Sequence, residues 1–231
     1  MMISSRRATS RRNAALRAAF ACALAAFALP LGAQTLVTNP NLDTDLPPWQ
    51  AFVSASPDPA GSGAAPAWVA NPDVNGSSAS GSALIDFLAA GTQANAASGM
   101  AQCVEFSAAT SIQFVNYGMS FQVPATTTAD GSVSATVEIR LFTAPGCSGF
   151  IGGGTQGQTI APGTDASWHT VADHSFVPTG APVTAASAQI RGYLRRTGTA
   201  ATQTDYAIHL DHFVVVLNDT TPVELMQFNV D

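Results

Sequence analysis

The sequence predicts an all-β protein with antiparallel strands, arranged as one β-sandwich or barrel. After residue 33, no amphipathic helix pattern persists for three turns. Segments rich in Val, Ile, Thr, Phe and Tyr recur instead, and Gly, Pro, Ser and Asn separate them. Because parallel strands need crossover connections, usually helices, the lack of helix patterns indicates antiparallel connections.

The first 33 residues are predicted to be a signal peptide. Five arginines between Arg6 and Arg17 form a positive region. An apolar stretch from Ala18 to Leu31 follows, with small residues before a cleavage site after Ala33. The apolar stretch is shorter than the roughly 20 residues that span a membrane. These features predict a protein that is secreted or periplasmic, exported by general secretion.

Nine strands are predicted after the signal peptide, and each is a run of β-branched and aromatic residues bounded by turn residues. They are Gln34–Thr38, Trp49–Ser54, Ser82–Leu88, Gly99–Phe106, Tyr117–Val123, Val133–Thr143, Trp168–Val177, Ala185–Arg195 and Tyr206–Leu217. The predicted domain therefore covers residues 34–218, and a tail follows at 219–231.

Two segments between these strands are predicted to be loops. Ala55–Ser80 consists almost entirely of Pro, Gly, Ala, Ser and Asn, which is typical of a long loop. Gly149–Gly157 is rich in glycine but lacks the Lys and Ser/Thr of a phosphate-binding loop. We interpret it as a flexible connection.

The charge of the exported chain excludes two classes of partner. All nine basic residues are arginines, and only four of them follow Ala33, whereas all 15 acids do, so residues 34–231 carry a net charge of 4 − 15 = −11. A chain this acidic and without lysine offers no surface for neutralising phosphates, which argues against nucleic acids and anionic membranes as partners.

Cys103 and Cys147 are the two cysteines that remain after the signal peptide. A pair of cysteines in an exported chain favours a disulfide over two free thiols. A disulfide would close a loop of about 45 residues between them, which would stabilise the fold by up to roughly 4 kcal/mol in the chain-entropy model. Two thiols alone make a poor metal site, and their spacing is not that of a zinc motif.

The segment YAIHLDHFVVV, Tyr206–Val216, places two histidines and an aspartate within four residues. Side chains of a strand alternate between faces, which predicts two sets. One set is Tyr206, Ile208, Leu210, His212 and Val214, and the other is Ala207, His209, Asp211, Phe213 and Val215. The two histidines would then point in opposite directions, so the segment by itself does not predict a zinc site.

Several segments, in order, resemble the galactose-binding-like jelly-roll domains of secreted bacterial carbohydrate-binding modules. The matching segments are Val37–Asp43 with Trp49, Gln102–Val104, Tyr117–Phe121, Val137–Phe142 up to Gly149, Ser167–Val171, Ala188–Tyr193 and Ile208–Asp211. Leu42 and Asp43 replace the Phe-Glu usual there, and His212 stands where a second aspartate is common. The resemblance implies a two-sheet antiparallel β-sandwich of the jelly-roll type.

The resemblance also implies a possible structural calcium ion. Its ligands would be an acid near the first strand and the aspartate of the last strand, which by position are Asp43 and Asp211. Calcium takes six to eight oxygen ligands, several of which are backbone carbonyls. The alternative is that Asp211 accepts hydrogen bonds from loop backbone.

Aromatic residues are the candidate ligand contacts, because exposed rings stack on the apolar face of a sugar. Trp49 and Trp168 match core positions of the resembled domains, which predicts that they are buried. Trp68, Tyr117 and Tyr193 are the candidates for ligand binding, and Trp68 is favoured because it lies in the predicted loop.

The sequence favours a non-catalytic protein over an enzyme. It has neither a Gly-x-Ser-x-Gly elbow nor a His-Glu-x-x-His motif. Glu105 and Glu138 are a conceivable glycosidase pair, but both occupy polar positions of alternating strands. We therefore predict a binding module, with extracellular glycan as its partner. The alternatives are a stand-alone extracellular structural or adhesion protein and, less favoured, a hydrolase that acts on glycans.

Overall fold

The computed structural model describes residues 36–53, 65–88, 95–197 and 205–218. All of these residues belong to one compact unit. The predicted signal peptide and the tail at 219–231 lie outside the described residues. No helix that could cross a membrane occurs in the described ranges.

Ten β-strands occur among the described residues. They are β1 Gln50–Val53, β2 Ala67–Val69, β3 Ser82–Leu88, β4 Ala97–Ile112, β5 Val115–Gln122, β6 Val133–Ala144, β7 Ser148–Thr159, β8 Trp168–Phe176, β9 Val183–Arg196 and β10 Asp205–Leu217. Eight of these coincide with predicted strands. Within the predicted strand Gln34–Thr38, the described residues Leu36–Thr38 form no strand.

The strands form two five-stranded antiparallel sheets. Sheet A has the order β1-β4-β9-β6-β7 and sheet B the order β2-β3-β10-β5-β8. Without the edge strands β1 and β2, the sets β4-β9-β6-β7 and β3-β10-β5-β8 are the two four-stranded sheets of a jelly roll. The predicted all-β, two-sheet jelly roll is confirmed.

Alternation along β6 shows why these residues form a sandwich. Val133, Ala135, Val137, Ile139 and Leu141 are all fully buried and belong to the core shared by both sheets. The alternate residues of β6 point to the other side of sheet A, which carries the polar side chains. They are Ser134, Thr136, Glu138, Arg140 and Phe142. Period-two burial of this kind is the pattern of a strand with one face against a core.

The prediction of a flexible connection at Gly149–Gly157 is wrong, because this segment lies within β7. It pairs with β6 and forms the edge of sheet A. Glycine fits the inner face of this edge because rings from sheet B approach it closely. A Cβ atom on Gly154 would lie 2.8 Å from the Tyr117 hydroxyl and 3.0 Å from the Phe176 Cβ. The glycines therefore reflect packing rather than a loop.

The prediction of a loop throughout Ala55–Ser80 is also wrong in part. Ala67–Val69 forms the short edge strand β2, which pairs with β3. Three residues carry too little periodicity to be recognised in the sequence. Residues 54–64 lie outside the described ranges.

The predicted faces of the last strand hold only as far as Asp211. The register of β10 against β5 shifts between Asp211 and Val214, and His212 has a positive φ of 51°. This β-bulge inserts one residue and reverses the alternation. As a result Phe213 and Val215 join Ile208 in the core, contrary to the prediction.

The predicted disulfide between Cys103 and Cys147 is confirmed. It joins β4 to the turn between β6 and β7. Ser187 of β9 holds the same turn, because its Oγ accepts the N–H of Cys147 (3.2 Å) and donates to the Ala144 carbonyl (2.7 Å). The disulfide and these hydrogen bonds fix the turn against the outer side of sheet A.

Candidate functional site

The outer face of sheet A carries an open groove of about 440 Å³. We call it the arginine groove. Its lining residues are Phe52, Val53, Asn95, Ala97, Glu138, Arg140, Arg191, Tyr193 and Arg195. They come from β1, β4, β6 and β9, except Asn95, which lies just before β4. The volume lies within the range of small-molecule sites, about 300–1,000 Å³.

The register of the strands brings these side chains together. Arg191 pairs with Ala101 of β4 on one side and with Glu138 of β6 on the other. Two residues further along, Tyr193 pairs with Gly99, which in turn pairs with Phe52 of β1. Because side chains two residues apart share a face, Arg191 and Tyr193 both project into the groove, where Glu138 and Phe52 join them.

A single carboxylate organises the polar floor of the groove. Glu138 Oε2 accepts hydrogen bonds from Arg191 Nη1 and from the Tyr193 hydroxyl, both at 3.3 Å. Its Oε1 lies 3.7 Å from Arg140 Nε. Burial, followed by the charge of Glu138, raises the pKa of Tyr193, so this hydroxyl stays a hydrogen-bond donor at neutral pH.

Aromatic rings support two of the guanidinium groups. The Arg191 guanidinium lies 4.5 Å from the centroid of the Phe52 ring, and the Phe52 and Tyr193 rings are 5.2 Å apart. The Arg140 guanidinium lies 4.4 Å from the centroid of Phe150, which is 55 % exposed. Cation–π attraction of this kind holds the guanidinium groups against the rings.

Of the ligand contacts predicted from the sequence, the structure places one in this groove. Tyr193 lines it. Trp68 is half-buried on β2, packs against the core and donates from Nε1 to the Leu42 carbonyl at 2.7 Å. Tyr117 is 1 % exposed and belongs to the core, and burial, followed by the charge of Glu138, raises its pKa to about 12. Trp68 and Tyr117 therefore do not share a surface with Tyr193.

The prediction that Trp49 and Trp168 are buried holds for only one of them. Trp49 is buried, and its ring lies 4.3 Å from that of Phe213. Trp168 is half-buried, so the prediction is wrong for this residue, which lies on β8 at the edge of sheet B.

Sequence reasoning missed the other groove residues, although one signal for them was present. Arg191, Tyr193 and Arg195 alternate along one strand, so they share a face. Glu138 and Arg140 alternate in the same way on another strand. The sequence does not show that these two strands are neighbours, and Phe52 comes from a third strand.

A second group of functional interest lies at the bulge of β10. It consists of Asp43, Asp73 and Asp211, and we call it the Asp211 cluster. Asp211 is its central residue. It is fully buried, and its oxygens accept the backbone N–H groups of Val74 (3.1 Å) and His212 (2.7 Å). Burial raises the pKa of the Asp211 carboxyl to about 7; those two hydrogen bonds lower it, and the charges of Asp73 and Asp43 raise it. Asp43, Asp73 and Asp211 therefore lie near one another, and two of them, Asp73 and Asp211, are buried.

The surroundings of this cluster supply further oxygen atoms. Ser80 Oγ lies 3.1 Å from the Asn41 carbonyl and 3.2 Å from Asp43 Oδ1. Oδ2 of the buried Asp73 has no hydrogen-bond partner, while its Oδ1 accepts two backbone N–H groups. Nevertheless, among the described residues no three His, Cys, Asp or Glu side chains are grouped tightly enough to hold a metal by themselves.

The two histidines of this strand lie in different environments. His209 is buried, its Nδ1 lies 3.1 Å from Ser82 Oγ, and burial lowers its pKa to about 4. His212 is exposed, and its Nδ1 lies 3.2 Å from Asn41 Oδ1. Since Ser82 is also fully buried, the Ser82–His209 pair lacks the access to substrate that a nucleophile and base require.

The geometry of Glu105 and Glu138 does not suit glycoside hydrolysis. Both lie on the outer face of sheet A, where they pair with Ser187 and Arg191 of the intervening strand β9. Ser187 and Arg191 are four residues apart on β9, so Glu105 and Glu138 are offset by about 13 Å along the strands. Because β4 and β6 lie on opposite sides of β9, the two glutamates are also about 9.6 Å apart across the strands. Catalytic carboxylates of glycosidases lie within about 9.5 Å of each other.

A second cavity lies beside β5 and β8 and is much smaller. Its volume is about 80 Å³, and its lining includes Phe121, Asp165 and His169. The His169 ring stacks on Phe121 at 5.3 Å, and its Nε2 contacts Asp165 Oδ2 at 3.0 Å. This volume is below the range of ligand sites.

Comparisons with known proteins give structural similarity only. No protein-family model matches the sequence, and no curated protein matches it. Among solved structures, the chain is similar to the enzymatically active domain of tailspike protein 4 of bacteriophage CBA120, with 13 % identity and a TM-score of 0.49. The similarity covers 79 % of this chain and 21 % of the tailspike chain, so this chain spans about a fifth of the tailspike's length.

Two further similar structures are carbohydrate-binding modules. A CBM4 module shares 13 % identity with a TM-score of 0.43, over 78 % of this chain and 99 % of the module. The family 11 carbohydrate-binding module of a cellulosomal cellulase of Clostridium thermocellum shares 10 % identity with a TM-score of 0.42, over 80 % of this chain and 95 % of the module. At these identities the similarity concerns the fold alone.

Proposed function

We propose that this protein is a non-catalytic carbohydrate-binding module whose ligand lies in the arginine groove. The observation that carries the proposal is the groove itself, where the aromatic pair Phe52 and Tyr193 adjoins the network around Glu138. A sugar offers an apolar ring face and a rim of hydroxyls, and a site for it needs both kinds of contact.

Each part of the groove has a role in this proposal. The half-buried Phe52 ring would contact the apolar face of a sugar. Glu138 accepts hydrogen bonds, and the guanidinium groups of Arg140 and Arg191 donate them to hydroxyl oxygens. Because these groups already hold one another in place, binding would require little ordering of side chains.

Export of the protein belongs to the same proposal. The chain contains the disulfide Cys103–Cys147. Disulfides persist in oxidising compartments and are rare in the cytosol. Together with the signal peptide predicted from the sequence, it supports a secreted or periplasmic location, where polysaccharides are accessible.

Retention on immobilised polysaccharides tests this function. The mature protein is passed over a panel of neutral and acidic glycans, together with Phe52→Ala and, as an aromatic control on the other sheet, Trp168→Ala. We expect retention on at least one glycan, its loss in Phe52→Ala, and its persistence in Trp168→Ala. If no glycan retains the wild-type protein, the binding-module proposal fails and a structural or adhesion protein is favoured.

We also infer a structural calcium ion at the Asp211 cluster. Hard oxygen ligands suit calcium, and the buried Oδ2 of Asp73 lacks a partner. Asp43 and Asp211, with Asp73, would hold the ion, and amide and carbonyl oxygens such as that of Asn41 would complete its shell. A divalent cation would offset the repulsion among the three carboxylates and join the loop that carries Asp73 to β10.

A melting experiment tests the ion. Calcium that binds only the native state raises the melting midpoint, with about 2.7 kcal/mol of stabilisation at a hundredfold excess over Kd. We expect this response in the wild type and in the remote control Asp165→Asn, and its loss in Asp43→Asn. An unchanged wild-type midpoint between millimolar calcium and chelator would rule out the site.

A further inference from the structure

The distribution of arginine in this chain is strongly uneven. Only four arginines follow residue 33, and three of them, Arg140, Arg191 and Arg195, line the arginine groove. Glu138 is the one acid among the lining residues, so the lining carries a formal charge of 3 − 1 = +2. Residues 34–231 as a whole carry −11. A positively charged groove attracts anionic ligands, although the chain as a whole is strongly negative.

The contacts of the guanidinium groups leave positive charge available to a ligand. Arg140 and Arg191 share the carboxylate of Glu138, so two cations are matched by one anion. Arg195 donates from Nη2 to the neutral Asn95 Oδ1 at 2.6 Å and forms no ion pair with any described acid. Its burial is intermediate, as is that of Arg191.

The contacts of Arg191 leave one of its nitrogens for a ligand. Its Nε donates to Gln189 Oε1 at 2.8 Å and its Nη1 to Glu138, while its Cζ lies 4.5 Å from the centroid of the Phe52 ring. Nη2 makes no hydrogen bond to any described residue, so its N–H groups can donate to a carboxylate of a ligand. Such a charge-assisted hydrogen bond is stronger than one between neutral groups.

The three cations also follow the length of the sheet. Arg140 pairs with Gln189, and Arg195 lies six residues further along the same strand, β9. At the rise of a β-strand, six residues correspond to about 20 Å. A single sugar acid would not span this distance, whereas an extended chain with repeated carboxylates would reach all three cations.

We infer that the ligand of the arginine groove is an acidic polysaccharide of uronic acid residues, whose carboxylates bind Arg140, Arg191 and Arg195 while a sugar ring contacts Phe52. This inference rests on the proposed carbohydrate-binding function. It specifies that function further, because a neutral glucan or mannan would leave the surplus positive charge without a partner.

Polygalacturonate and its fully methyl-esterified form are the first pair of probes, because they share a backbone and differ only in charge. Alginate is the second polyuronate, with cellulose and mannan as neutral references. Affinity electrophoresis or calorimetry uses the mature protein at low ionic strength without added calcium, since polyuronates bind calcium themselves. We expect binding to at least one polyuronate, at least about tenfold weaker binding to the ester and neutral glycans, and weakening by salt.

Two substitutions locate the binding. Arg195→Gln should weaken polyuronate binding about tenfold or more, since hydrogen bonds to charged groups are strong. Thr179→Glu makes the same change in net charge in the exposed turn before β9. It lies 12 strand residues or more from Arg195, about 40 Å, well beyond the screening length of about 10 Å, so it should leave affinity within about twofold.

The outcomes separate this inference from the function on which it rests. Binding to neutral glycans or to the ester that equals binding to polyuronates would overturn the acidic ligand and leave the carbohydrate-binding proposal intact. If Arg195→Gln and Thr179→Glu both bind polyuronate with the affinity of the wild type, the acidic ligand is likewise overturned and the carbohydrate-binding proposal is left intact. Absence of binding to every glycan in the panel would overturn both.

Discussion

The rings of Phe52 and Tyr193 meet 5.2 Å apart, although β4 separates their strands. Gly99 stands between them in the register of sheet A. A Cβ atom on Gly99 would lie 2.1 Å from the Gly192 carbonyl oxygen and 2.5 Å from the Tyr193 Cα and Cβ. The absence of a side chain at this one position therefore allows the aromatic floor of the groove to form.

The first prediction concerns this close approach. Gly99→Ala should destabilise the fold by about 1–3 kcal/mol, the usual cost of forcing extra atoms into a packed site. Gly152→Ala is the matched control, because its added Cβ would make an ordinary contact, 3.5 Å from the Phe176 ring. Thermal denaturation followed by circular dichroism compares the two variants. Equal midpoints for them would contradict the close approach at Gly99.

The second prediction concerns the disulfide. Removing it in a Cys103→Ala, Cys147→Ala double variant should cost up to roughly 4 kcal/mol, because the bond constrains an unfolded loop with a sequence separation of 44. The native fold should survive, since the backbone N–H groups of Cys147 and Gly146 in this turn also donate hydrogen bonds to Ser187 Oγ and Glu105 Oε1. Urea denaturation measures the loss. A free energy of unfolding equal to that of the wild type would show that the bond adds no stability.

The third prediction concerns pH in the presence of chelator. The pKa of His209 is lowered by burial to about 4, so its contribution to stability is present above pH 6.5 and is lost as the pH falls towards 4. The pKa of Asp211 is raised by burial to about 7, so its contribution is present below pH 3.8 and is lost as the pH rises through 7. The two trends oppose each other between pH 4 and 6.5.

Single variants separate these trends in melting curves measured from pH 4 to 7.5. Relative to the wild type, His209→Gln should gain stability as the pH falls, because only the Asp211 trend remains. Asp211→Asn should lose stability over the same interval. Parallel pH profiles for the wild type and both variants would show that neither group is linked to folding.

The fourth prediction concerns Trp68, which the sequence favoured as a ligand contact. Trp68→Ala should destabilise the fold by about 3 kcal/mol, since it removes a large ring packed against the core. Trp68→Phe should cost about 1 kcal/mol through loss of the hydrogen bond to the Leu42 carbonyl. Retention on polysaccharides should persist in Trp68→Phe. Loss of retention in that variant, with stability unchanged, would favour the sequence prediction instead.

The sequence by itself determined the class of fold. Alternating apolar positions such as those of β6 bury one face whatever the neighbouring strands are, so the strands could be recognised individually. The cysteine pair was likewise evident from composition and predicted export. Two strands were missed: β2 is too short to show periodicity, and the glycines of β7 carry no side chain to display it.

The tertiary structure alone decided the site. The bulge at His212 reverses the faces of β10, and its presence depends on backbone conformation that alternation does not reveal. The arginine groove joins Phe52, Glu138 and Arg191 from three strands far apart in the chain. Their meeting depends on which strands pair and in which register, and a shift of one residue would turn these side chains into the core.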